Sequence, residues 1–165
     1  MTIHPPGPPS AAPNHARILS GPGPGRCLDP LQLNRLEQNL REWAGSYRRP
    51  DLAASRQRVF LIFLLIRYTG ARLNEVLRLN LADDLDPEKR TVLFRKGAAR
   101  GEHARRDVQI PEVVAAEVQG ILKSLALRTA GRGGLRLDPA HVRRKFYEQA
   151  EAVGLPRELG APEVI

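Results

Sequence analysis

Arg72 and Glu75, three residues apart and just beyond a Thr69–Gly70 pair, are a first place where residue type and spacing could do chemistry. A guanidinium is a planar fork that keeps its charge, so it suits two simultaneous hydrogen bonds to a phosphate or carboxylate. A carboxylate one helical turn on is close enough to orient it by i,i+3 pairing. The plain alternative is an exposed Arg–Glu pair, which contributes little. Two basic clusters extend the anion theme. Arg95, Lys96, Arg100, Arg105 and Arg106 surround one acid, Glu102, while Arg143, Arg144 and Lys145 follow His141. Neighbours on a helix point about 100° apart, so the last three fan across a wide face. Such a fan suits a helix lying in a groove with charge on both walls, although charge runs are usually solvated faces.

The bulk properties agree in direction. A net charge of +8 and an isoelectric point near 10.5 favour a polyanionic partner, nucleic acid first and anionic membrane second. Ordinary solubility charge is the competing explanation. At 165 residues the chain fits one domain that can bury a core without staples. Its single cysteine, Cys27, cannot close an internal bridge, so nothing points to an oxidising compartment. The apolar run from Val59 to Ile66 is too short to span a bilayer, and Pro and Gly occupy the place of a signal peptide's apolar segment. A cytoplasmic protein is expected, with no metal and no cofactor.

Those side chains must be positioned by folded elements. Residues 1–26 hold half of the chain's 14 prolines and little periodic apolar pattern, so they read as a flexible leader to a domain over 27–165. Asp29 and Pro30 cap and open a helix with Leu33, Leu36, Leu40 and Trp43 on one stripe. A second helix, from about Leu52 to Tyr68, is apolar nearly all round in its second half and is predicted to be the central core helix. Leu73, Val76, Leu77 and Leu79 place a third, short helix against it. "DDLDPEKR" reads as a turn cluster. "TVLFR" and "RRDVQIP" alternate with period two, with Val92 and Phe94, then Val108 and Ile110, facing inward; they predict two antiparallel strands around the loop "KGAARGEHA". Helical period returns in residues 111–127, with Val114, Val118, Ile121 or Leu122, and Leu125 inward. The last helix spans "LDPAHVRRKFYEQAEAVG", capped at Asp138 and stopped at Gly154, with Val142 and Phe146 toward the core. The expected fold class is mainly α with a small antiparallel hairpin or sheet.

The order of these features resembles the catalytic domain of tyrosine recombinases, the phage-integrase family. An apolar helix ends in Tyr68-Thr69-Gly70, Arg72 and Glu75 follow, then the leucines Leu77, Leu79 and Leu81, an acidic turn, and a basic hairpin carrying Lys96-Gly97. The resemblance covers roughly residues 28–165. It implies that Arg72 contacts a DNA phosphate and offsets charge on the five-coordinate phosphorus, with Glu75 in support. It implies that Lys96 either protonates the departing 5′ oxygen or makes a plain phosphate contact, since the loop here is longer than the family's turn. It places the last helix in the major groove, making His141, Arg143, Arg144 and Lys145 candidates for phosphate and base-edge contacts beside Arg95, Arg100, Arg105 and Arg106.

The chain also departs from the family pattern. Where the family has Pro-His-x-Leu-Arg, this sequence reads Pro162-Glu163-Val164-Ile165, so a carboxylate stands at the histidine position and the second arginine is not reached. Tyr147 lies too early to be the family's nucleophile, and no later tyrosine follows it. Covalent strand cleavage needs that nucleophile. The expectation is therefore a domain of the recombinase fold, incomplete at its C-terminal side, that binds double-stranded DNA as a monomer and does not cut it. Its parent would be either a recombinase or an integrase-like transcription regulator with a sensor downstream. A helical protein-interaction module with incidental charge is a third reading.

Overall fold

The computed structural model describes residues 27–95, 105–129 and 134–165. The leader read over 1–26 and the loop carrying Lys96 and Arg100 lie outside the described residues.

Asp29 accepts a hydrogen bond from the Gln32 amide at 2.8 Å, and the Gln32 side chain accepts one from the Asp29 amide at 3.0 Å. This reciprocal box starts α1 (Pro30–Gly45), with proline at the first position, where a missing N–H is harmless. Leu36 and Leu40 are fully buried, and Leu33 and Trp43 pack half-buried beside them. α2 (Pro50–Thr69) begins slightly earlier than the apolar pattern because Pro50 can open it. Every residue from Val59 to Ile66 is buried, so α2 is the central helix. It ends at Gly70, whose φ of 68° is left-handed, and whose amide closes on the Ile66 carbonyl at 3.0 Å. α3 (Leu73–Leu77) follows at once.

The sheet has three antiparallel strands in the order β1 (Leu85–Asp86), β2 (Thr91–Arg95), β3 (Arg105–Gln109). The sequence pattern predicts two strands, with residues 83–90 wholly in a turn. Two of those residues instead pair with Val92 and Thr91, because the turns lie on either side of them, at 81–84 and at 87–90, with Arg90 at φ 56°. The alternation in β2 and β3 is as expected. Val92 pairs with Val108 and Phe94 with Arg106 on the inner face, and Arg95 pairs with Arg105 on the outer face.

α4 (Glu112–Thr129) buries Val114, Val118, Ile121 and Leu125, so of the two candidates Ile121 is the deeper and Leu122 stays half-buried. α5 (Pro139–Ala152) is capped by Asp138, which accepts from the Ala140 amide at 3.1 Å. Its Phe146 is fully buried and meets Phe63 of α2 edge-on at 5.8 Å. The Asn39 side chain donates to Gln149 at 2.7 Å and Arg35 donates to the Val153 carbonyl at 2.8 Å, fastening α5 to α1. A 3-10 turn (Arg157–Gly160) then folds back onto α5. Gly160 allows this approach, because a Cβ there would stand 2.6 Å from the Phe146 carbonyl oxygen. The molecule is mainly helical, with one small sheet and one continuous apolar core. Among the described residues no helix is long and apolar enough to cross a membrane.

Candidate nucleic-acid interface

The corner that presents Arg72 is built by hydrogen bonds local to the chain. Thr69 Oγ1 donates to the Leu65 carbonyl at 2.5 Å and accepts from the Ala71 amide at 3.2 Å, bracing the left-handed Gly70. The chain turns within three residues, and Arg72, in extended conformation, becomes the N-cap of α3. Its amide donates to Glu75 Oε2 at 3.0 Å. A guanidinium has no lone pair to return, so only half of a capping box forms. Glu75 therefore restrains the Arg72 backbone rather than its side chain. The i,i+3 side-chain pairing expected from the sequence does not occur, and Glu75 instead pairs with Arg106 at 3.2 Å. Cap and cross-strand cation share one carboxylate, which leaves the Arg72 guanidinium exposed and, among the described residues, without an ion pair.

Arg72 lines a cleft of about 710 Å³ together with Arg67, Arg143 and Glu163. Three guanidiniums thus border one cavity, but they differ in state. Arg67 is bound to Glu37 and donates to Asn34 at 2.7 Å. Glu37, although buried, also accepts from Arg41 at 2.8 Å and from the Tyr68 hydroxyl at 2.9 Å, and Arg41 continues to Glu117 of α4 at 2.9 Å. This network ties α1, α2 and α4 together behind the cleft. The Glu117 hydrogen bond keeps the Arg41 pKa raised against desolvation, and burial, with help from Glu37, pushes the Tyr68 hydroxyl up.

Arg143 holds Glu163 by both fork nitrogens, at 2.9 Å and 2.5 Å. That pair raises the Arg143 pKa and holds the Glu163 carboxyl below the usual carboxylate range. The rest of the α5 fan divides as its geometry requires. Arg144 points to solvent beside His141 Nδ1 at 3.1 Å and only grazes Glu148 at 4.0 Å, while Lys145 pairs with Glu148 at 3.0 Å. On the sheet, Arg106 lies over the Phe94 ring at 4.9 Å, and Arg95 is drawn to the buried Asp84 at 3.1 Å. Arg105, opposite Arg95 on the outer face, is exposed and has no ion pair among the described residues. Like charges placed opposite each other disfavour the sheet, and the Asp84 carboxylate offsets the Arg95 member of this pair.

The structure therefore brings together Arg72, Glu75 and Arg106 directly, and Arg72 and Arg143 across the cleft. Arg95 and Lys145 are occupied by acids. Lys96 and Arg100 are outside the described residues. Sequence reasoning missed Arg67, whose partner lies thirty residues away on another helix. It also missed Arg78 and Arg136, which line a second cleft of about 460 Å³ beside Asn80. Both stand outside the charge runs that a sequence pass singles out. Among the described residues no cluster of His, Cys, Asp and Glu is arranged to hold a metal. Set against family models, curated proteins and solved structures, the chain finds no match.

Proposed function

We propose that this chain is a double-stranded DNA-binding domain of the tyrosine-recombinase catalytic fold, not competent for strand cleavage by itself. The observation that carries the reading is the state of Arg72. A guanidinium fixed at its backbone, without an ion pair among the described residues and set in the wall of a basic cleft is prepared for an oxyanion. The base of the basic hairpin reaches the same corner through Arg106 and Glu75, and α5 reaches it through Arg143. Among the described residues Arg105 has no ion pair and Arg144 has only the long Glu148 contact beside His141, which leaves both exposed for phosphate or groove contacts. Duplex DNA is the polyanion whose backbone matches several separated cations of this kind.

Absence of cleavage follows from the tyrosines. The chain has three, and none of them lines the cleft. The Tyr68 hydroxyl is engaged by Glu37, Tyr147 lies under Arg157 and Tyr47 under Arg56. Glu163 favours the regulator as parent over the enzyme, because a carboxylate in the Arg72 cleft repels a scissile phosphate. Titration of a duplex at several salt concentrations tests the proposal. Affinity should fall steeply as salt rises, with a slope reporting roughly four or more phosphate contacts at about 0.9 per contact. Binding that is absent at low salt, or insensitive to salt, would rule it out.

A further inference from the structure

We propose that Glu163 is an internal substitute for a DNA phosphate, occupying Arg143 until the duplex displaces it. The inference rests on the DNA-binding reading and adds how that site is regulated. Carboxylate and phosphate present the same pair of oxygens to a guanidinium fork, so a bidentate Arg–carboxylate contact is a ready mould for Arg–phosphate. Here both Arg143 nitrogens are taken by Glu163, at 2.9 Å and 2.5 Å. The pair sits in the cleft that Arg72 faces.

The contact is also built to be exchanged. The Glu163 side chain is 61% exposed, and an exposed pair of this kind is held weakly. Besides Arg143, its carboxylate is held among the described residues only by the backbone of Glu163 itself, whereas Glu37 behind the cleft is buried and accepts from three side chains. The segment that carries Glu163 is anchored further back, where Gly160 lies against the Phe146 carbonyl and Pro162 is buried. The side chain can therefore leave without moving its backbone. A phosphate entering beside Arg72 repels the carboxylate and attracts Arg143. Glu163 then turns to solvent, and Arg143 joins Arg72 on the phosphate. Free of DNA, the protein exposes one cation fewer on this wall, which disfavours small monovalent anions and favours a ligand of higher charge density.

The test compares duplex affinity and its salt slope for the wild type, Glu163→Gln and Glu158→Gln. Glu158 is exposed on the 3-10 turn, so its change removes the same charge without releasing Arg143. Glu163→Gln should bind about three- to fivefold tighter at low salt, as expected for freeing one exposed pair. Its salt slope should equal that of the wild type, because Arg143 reaches the same phosphate in both complexes, and Arg143→Ala should flatten the slope by about 0.9. Glu158→Gln should show only a smaller gain with no change in slope, and in an Arg143→Ala background Glu163→Gln should match it. Equal gains for both variants in the native background, or weaker binding by Glu163→Gln, would overturn the exchange while leaving the DNA-binding reading in place. Failure of the wild type and both variants to bind duplex would remove both.

Discussion

Arg72 is the residue on which the proposed DNA binding turns, and its exposure could be anticipated from four letters of sequence. A guanidinium placed straight after a Thr-Gly helix stop has no helix interior to hide in, and the structure shows it exposed. What the letters could not show is which atom Glu75 would hold. Local spacing permits either the backbone amide or the guanidinium, and the choice is made by Arg106, which arrives from β3 and claims the same carboxylate. Arg72→Ala should leave unfolding free energy within about 0.5 kcal/mol of wild type, since no ion pair among the described residues is lost. Duplex affinity should fall about tenfold, the usual size for losing hydrogen bonds to a charged partner, and Arg72→Lys should recover part of it. A large loss of stability in chemical denaturation would show that the side chain is structural after all. Glu163 gives a second residue-scale expectation. Its pKa is lowered by Arg143, so its contribution to stability is present above the ordinary value of 4.5 and is lost as pH falls through the depressed one. The stability difference between wild type and Glu163→Gln should be constant near neutrality and shrink only on acidification below that value. A difference that grows as pH falls would have the wrong sign.

At the scale of elements, the readable parts were those governed by short-range rules. Asp29-Pro30 and Asp138-Pro139 mark two helix starts because cap and first turn are adjacent in sequence. The alternation in β2 and β3 gave the correct inner face, since period two needs only five residues to be seen. The two-residue β1 was missed because so short a strand has no period, and only pairing with β2 defines it. The return of the 3-10 turn onto α5 was equally invisible, as it depends on a backbone contact at Gly160. Two glycine substitutions separate these kinds of constraint. Gly70→Ala meets no neighbouring atom but must hold φ at 68°, so it should cost about 1 kcal/mol from strain alone. Gly160→Ala collides with backbone. It should destabilise by roughly 1–3 kcal/mol, as overpacking does, and should also push residues 161–165 off the cleft. Thermal unfolding gives the first quantity, and chemical shifts of Glu163 and Val164 give the second. If Gly160→Ala leaves those shifts unchanged, the seat of Glu163 is set elsewhere.

At the scale of the molecule, the proposed duplex binding needs one face. The helical layer supplies it through buried contacts that no linear pattern reveals. Phe63–Phe146 and Asn39–Gln149 set α5 against α2 and α1, and the Glu37 network fixes α2 against α1 and α4. These contacts join residues about thirty or more positions apart, and two of them, Phe63–Phe146 and Asn39–Gln149, join residues more than eighty apart. That is why charge clusters could be counted in the sequence while their common corner could not. The most direct test is to map duplex binding by amide and arginine side-chain chemical shifts in the labelled protein. Perturbations should concentrate at 70–75, 105–106, 140–145 and 163, with the exposed surface of α1 around Gln38 and Glu42 unchanged. Perturbations centred on α1, or spread evenly over the molecule, would contradict the proposed face.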